Sequence, residues 1–241
     1  MEDCMTQVLL SLLIGYICGC FLTAYFIAKR FAGKDVSEIG SGNPGMANIM
    51  CNVGKFPGIM VLVGDIAKTI LAMGLAYYLC SEIIWFNSML FAGLGVLLGH
   101  NFPVWRKFKG GKGVAVTCAW IIIFMPFGGI VSSVAGGIIV LLTGLLPLGA
   151  VAIAVFAIPF AFIEYGNIAG CVMILSAIIM VYRNFPGFIR GFLNKEERKF
   201  KRERSTLNTI GTVAVIIVVI ALIIVDYKLH MNGPTAIFFA N

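Results

Sequence analysis

The chain has 241 residues, of which 60% are hydrophobic and only 12% charged, and it carries a net charge of +7. A soluble domain holds about 25% charged residues, so a water-soluble globular protein is excluded and an integral membrane protein is expected. The apolar runs are continuous and approach or exceed the roughly 20 residues that cross a bilayer as a helix, which excludes the alternating strands of a membrane β-barrel.

The first apolar run covers residues 6–28 and follows Glu2 and Asp3. It lacks the basic leader and small-residue cleavage site of a signal peptide, so it reads as a retained helix. A polar stretch follows, and then two further runs, 57–80 and 84–100, form a helical hairpin with Glu82 at its turn. Between residues 114 and 182 the apolar sequence is broken at Pro126, Gly128 and Gly129, from Gly144 to Pro147, and from Glu164 to Asn167. These breaks predict four short helices over 114–127, 130–142, 148–163 and 167–182. Fourteen residues rise only about 21 Å against a hydrocarbon core of about 30 Å, so two crossings stand as the alternative. That alternative leaves Glu164 deep in the membrane at a substantial cost. A last apolar run covers 209–227.

Sixteen of the 18 lysines and arginines lie in three segments, 29–56, 101–113 and 183–208. The positive-inside rule places all three on the cytoplasmic face. Glu2, Asp3, Glu82, Glu164 and Asp226 fall at the other ends of the apolar runs. One topology satisfies both sets, with the N-terminus outside and the final helix leading to an outer tail. The seven cysteines form no pair of C-x-x-C motifs and sit mostly in apolar runs. They read as small hydrophobes, with no disulfide frame or zinc site.

The polar segments carry the chemistry. In "GSGNPG", Gly40–Gly45, glycines permit the turns that aim successive amides at one point, a nest for an anion. Ser41, Asn43 and Asn48 add side-chain groups, and Lys55 follows at the start of the next helix. A plain glycine-rich turn has the same composition. The second segment, "GHNFPVWRKFKGGKG", repeats the pattern with Lys109 and Lys112 around Gly110, Gly111 and Gly113. It shares the logic of a phosphate loop without being a nucleotide-binding one. His100, where the helix meets this loop, is a candidate general base or phosphate ligand; a polar helix cap is the alternative. Arg183 opens the third segment with a planar fork suited to phosphate. The basic strip over 195–204 suits anionic headgroups. Asp65 and Lys68 share one face of the second helix. They read either as a buried pair stitching helices together or as catalytic groups.

Taken together, "GSGNPGMAN", "GDIAKT", "GHNFPVWRKFKGGKGVA" and a basic "YR" segment, in that order, resemble the bacterial acyl-phosphate:glycerol-3-phosphate acyltransferases over roughly residues 8–200. The resemblance implies an all-α polytopic membrane protein with a seven-helix acyltransferase-like core. Residues 1–205 form the membrane-embedded domain, and 206–241 add a further transmembrane helix and tail. It implies transfer of a fatty acyl group from acyl phosphate to glycerol-3-phosphate, giving lysophosphatidic acid and phosphate in phospholipid biosynthesis. No metal, cofactor, acyl-CoA or acyl-carrier-protein donor is implied; the partners are the two substrates and membrane lipids, not nucleic acid. By motif position Ser41, His100 and Lys112 map to catalytic roles. Gly40, Gly42, Asn43, Gly45, Asn48, Lys55, Lys109, Gly110, Gly111, Gly113 and Arg183 map to substrate binding.

The chain also departs from the family pattern. Ala47 stands where the first motif has threonine and Cys51 where it has arginine; Asn184, Phe185, Pro186 and Gly187 replace the histidine, arginine, glutamate and asparagine of the third. The alternative reading is therefore a catalytically impaired relative that binds a phosphorylated lipid precursor or a membrane partner. A small transporter with broken helices ranks last, because the polar residues gather at one membrane face and no inverted repeat is present.

Overall fold

The structure is a computed structural model that describes residues 2–193. The described residues are helical, linked by short loops and two 3-10 turns. They form two compact units, residues 1–124 and residues from 125 onward. The final apolar run at 209–227, the added C-terminal segment and the basic strip at 195–204 lie outside the described residues.

The first unit begins with α1, Glu2–Cys20, and α2, Thr23–Ala32. The sequence predicts one helix here; the structure breaks it at Phe21 and Leu22. After a 3-10 turn at Val36–Glu38 come α3, Met46–Asn52, α4, Lys55–Ile84, and α5, Asn87–Asn101. The α4–α5 turn falls at Trp85 and Phe86, beyond the expected Glu82. A second 3-10 turn, Val104–Arg106, precedes α6, Val114–Phe124.

Glycines set the close contact between α1 and α5. Gly15 and Gly19 of α1 and Gly95 and Gly99 of α5 are each spaced i, i+4, the pattern that lets membrane helices approach backbone to backbone. A Cβ on Gly15 would lie 2.0 Å from the Ala92 carbonyl oxygen, and one on Gly99 would lie 2.2 Å from that of Tyr16. No side chain fits between the two helices at these points. The contact matters for the site because it carries the α1–α2 break up to the C-terminal end of α5.

The second unit holds α7, Pro126–Thr143, and α8, Leu146–Leu193. Gly166, at φ 80° and ψ −172°, interrupts α8. Straight helix would separate Ile158 from Ile178 by about 30 Å, yet both line one cavity, and the Phe162 ring closes on Gly170. The chain therefore folds back at Gly166, and α8 is two helices in space. The helices predicted over 114–182 thus appear as α6, α7 and the two halves of α8. Among the described residues, five helices or helix pairs are long and apolar enough to cross a membrane, at 3–32, 55–80, 87–106, 126–143 and 146–190. The last, at 45 residues, is long enough for two crossings.

Candidate active site: two glycine-rich loops over a buried Asp–Lys–His cluster

The first loop is built around Asn48. Its carboxamide oxygen accepts the Ser41 amide (3.0 Å), its nitrogen donates to the Ile39 carbonyl (2.8 Å), and Asn52 donates to its backbone carbonyl (2.9 Å). Asn48 is 7% exposed, so it braces the loop from below. Gly40 adopts φ 52°, and a Cβ there would meet the Asn52 and Asn48 side chains at 2.2 and 2.5 Å. Only glycine passes. The Gly42 amide donates to Ile39 and the Gly45 amide to Asn43, while the Asn43 amide reaches the Ser41 hydroxyl at 3.4 Å. The expected nest of outward-pointing amides is not what the loop shows, because these donors are spent inside it. Ser41 is exposed and Asn43 half-exposed, so the loop offers side chains outward. Lys55 is exposed at the first turn of α4, and Cys51 is exposed on α3.

The second loop folds back on the end of α5. The Gly110 amide donates to the Asn101 carbonyl (3.1 Å) and the Gly111 amide to that of His100 (2.9 Å). A Cβ on Gly110 would lie 2.1 Å from the His100 oxygen, and one on Gly111 would lie 2.1 Å from His100 Nε2. These glycines therefore serve close packing, and their amides are engaged by the protein. Gly113, at φ 80°, seats the start of α6 over Leu97 and Asn101. Lys109 is exposed and Lys112 half-buried.

The two loops are joined. Arg106 Nη2 reaches the Asp35 carboxylate at 3.4 and 3.5 Å, and its guanidinium lies 4.2 Å over the Tyr25 ring. Asp35 also accepts the Ser37 hydroxyl (2.6 Å) and amide (2.9 Å). Those two hydrogen bonds, then the nearby Arg106 and Lys29 charges, hold its carboxyl below the ordinary range. The Tyr16 hydroxyl donates to the Phe102 carbonyl at 2.8 Å, pinning the loop to α1.

Beneath the loops lies a buried polar cluster. Breaking a membrane helix strands carbonyls that must find donors. At the α1–α2 break, Trp105 Nε1 donates to Cys20 O (2.7 Å), and Lys68 Nζ donates to Phe21 O (2.8 Å) and Gly19 O (3.4 Å). The same ammonium lies 2.8 Å from Asp65 Oδ1 and 2.9 Å from His100 Nδ1. Asp65, Lys68 and His100 are 2%, 5% and 3% exposed. The sequence shows the Asp65–Lys68 pair but not its link to His100, which comes from another helix; nor does it show the Asp35–Arg106 bridge.

In the second unit, Arg183 is half-buried on α8. It shares a cavity of about 660 Å³ with the apolar side chains of Ile158, Ile174, Ile178 and Phe185. Asn184 is buried and donates to the Met180 carbonyl of its own helix (2.9 Å). No cluster of three or more His, Cys, Asp or Glu that could hold a metal occurs among the described residues.

The class is that of a polytopic helical membrane protein whose basic, glycine-rich loops close over a buried charged cluster. The chain belongs to the glycerol-3-phosphate acyltransferase family, whose model matches residues 9–192. Glycerol-3-phosphate acyltransferase 1 of Lactobacillus johnsonii is 37% identical over 191 residues, covering 78% of this chain and 90% of that protein. The Bacillus subtilis glycerol-3-phosphate acyltransferase is 30% identical, covering 80% and 97%. The fold matches a crystal structure of PlsY, an integral membrane glycerol 3-phosphate acyltransferase, in its glycerol 3-phosphate form, with TM-score 0.64 and 27% identity over 78% of this chain and 90% of that one. Its lysophosphatidic acid form matches with TM-score 0.65 and 26% identity, over 76% and 90%.

Proposed function

We propose that the protein transfers a fatty acyl group from acyl phosphate to the hydroxyl of glycerol 3-phosphate, releasing lysophosphatidic acid and inorganic phosphate in the cell membrane. The observation that carries this reading is the joining of the two basic glycine-rich loops, Asp35 to Arg106, over one buried cluster. Both substrates bear phosphate. The Ser41 hydroxyl, Asn43, Lys55, Lys109 and Lys112 are the polar and cationic side chains of these segments suited to meet it. The donor is a mixed anhydride and already activated. Its acyl carbon needs an oriented hydroxyl and compensation for the departing phosphate's charge, and no enzyme nucleophile. The cavity on α8, apolar with Arg183 in its wall, has the chemistry of an acyl chain ending in an anionic head. The positive-inside rule supports a cytoplasmic position for the loops and an external N-terminus.

The test is turnover by purified protein in detergent, given acyl phosphate and glycerol 3-phosphate, with acyl-CoA as the rival donor. Phosphate and lysophosphatidic acid should form in equal amounts, and Lys112→Ala should reduce both by at least about tenfold, as loss of a charged hydrogen bond does. Activity with acyl-CoA alone would reassign the donor. One observation favours a second reading: Asn184, where the family's third motif has histidine, is turned onto its own helix. A binding-only relative would show thermal stabilisation by glycerol 3-phosphate with no phosphate release.

A further inference from the structure

We propose that Lys68 is a positioning residue that locks His100 in the tautomer protonated at Nε2, so that His100 supports the Lys109–Gly113 loop as a hydrogen-bond donor and does not act as a general base. Protons decide the matter. An ammonium has three N–H groups and no lone pair. Around Lys68 Nζ stand Asp65 Oδ1 at 2.8 Å, Phe21 O at 2.8 Å, His100 Nδ1 at 2.9 Å and, further out, Gly19 O at 3.4 Å. Three of these are oxygens that only accept. The carboxylate and two carbonyls favour the charged amine, and the Asp65–Lys68 pair is neutral as a whole.

A charged Lys68 makes Nδ1 of His100 an acceptor. A proton on Nδ1 would point at an ammonium 2.9 Å away. The neutral ring then carries its proton on Nε2. The Asp65 carboxylate oxygen 3.8 Å from Nδ1 is already matched by Lys68 at 2.8 Å, so a second ring proton would leave the cluster with a net positive charge at a site where His100 is 3% exposed. Nε2 faces Gly111 so closely that a Cβ there would sit 2.1 Å from it. The ring edge that carries the proton therefore lies under the loop. A nitrogen that already bears its proton cannot take one from a substrate hydroxyl. The break between α1 and α2 belongs to the same device, since its freed carbonyls accept from the ammonium that also meets Asp65.

The tautomer does not depend on acyl transfer, but its consequence for catalysis rests on that proposed reaction. The two parts are tested separately. The first measurement is ¹⁵N NMR of the full chain in nanodiscs, with histidine labelled and His230→Gln used to assign the two histidines. Wild-type His100 should show a protonated, pyrrole-type Nε2 and an unprotonated, pyridine-type Nδ1. The reverse pattern overturns the proposal, whatever any variant does. Lys68→Met should abolish the preference, while Lys68→Arg, which restores a donor, should recover it. An unchanged Nε2–H signal in Lys68→Met sinks the role given to Lys68. The second measurement is turnover. His100→Gln keeps a side-chain N–H and should exceed His100→Ala in kcat/KM by about tenfold, the weight of one hydrogen bond. Equal loss in both variants would return His100 to the role of base. An Nε2–H signal with no turnover in the wild type defeats the acyl-transfer reading and leaves the tautomer intact.

Discussion

Arg106 and Asp35 meet at 3.4 Å, and that contact ties the second polar loop to the first. The arginine is also stacked over Tyr25 at 4.2 Å, a second contact that orients its fork. Asp35 is partly exposed, and the pair is worth no more than about 1 kcal/mol in global stability. Its effect should be on loop order. Asp35→Asn should raise KM for glycerol 3-phosphate several-fold with little change in melting temperature. The sign of the pH dependence follows from the depressed carboxyl. Its stabilisation is present above the unfolded value of about 3.9 and is lost as pH falls through the lower native value. The small stability gap between wild type and Asp35→Asn should therefore close on acidification below about pH 4. Melting curves from pH 7 downward check this.

Asn48 holds the first loop through hydrogen bonds to the Ser41 amide and the Ile39 carbonyl. Asn48→Ala leaves both without their side-chain partner and should cost about 1–3 kcal/mol. Asn48→Asp keeps the acceptor for Ser41 but loses the donor to Ile39, and it should fall between the two. Melting temperatures in detergent order the three proteins. If Asn48→Ala instead matched wild-type stability while losing substrate affinity, the residue would be a ligand contact and not a brace.

These contacts mark how far the sequence could be read. Helices α4 to α7 and the bend near Gly166 were legible because long apolar runs and their proline and glycine breaks are local signals. The basic segments that carry Lys55, Lys109 and Lys112 were legible from charge. The function of the glycines was not. Gly110 and Gly111 read as a flexible cradle, yet they are small because the end of α5 lies 2.1 Å from where a Cβ would stand. That reason is tertiary and leaves no mark in local composition. The break in the first helix was missed for a related reason. No proline or glycine occupies Phe21 or Leu22; the stranded carbonyls are satisfied by Lys68 and Trp105 from distant parts of the chain.

Gly111→Ala tests that tertiary reason. The added methyl would meet the His100 ring at Nε2, and His100 is held on its other side by Lys68. With the ring unable to retreat, the loop must lift. The expected cost is about 1–3 kcal/mol, the range for overpacking. The lifted loop carries Lys109 and Lys112 with it, so KM for glycerol 3-phosphate should rise alongside the fall in melting temperature. Gly74→Ala on α4, where a Cβ meets nothing within 4 Å, is the matched control and should be neutral or slightly stabilising. A similar loss in both variants would mean that helix chemistry, and not the His100 contact, sets the response.

Cys51 is where the family resemblance and the structure disagree most usefully. The family's first motif has an arginine at this position. Here α3 turns Asn48 inward to brace the loop and leaves Cys51 exposed one turn later. Nothing at Cys51 needs to move to accept a longer side chain. Cys51→Arg should therefore leave the melting temperature unchanged while adding a phosphate-directed cation beside Ser41's loop. A partly exposed charged hydrogen bond is screened by solvent, so the expected gain is modest, a fall in KM for glycerol 3-phosphate of up to about tenfold. The gain should shrink with added salt as the Debye length falls from about 10 Å at 0.1 M to about 3 Å at 1 M. Cys51→Met adds length without charge and should change nothing. If Cys51→Arg also leaves KM untouched, the phosphate is read by Lys109 and Lys112 alone, and the lost arginine has no counterpart in this chain's substrate binding.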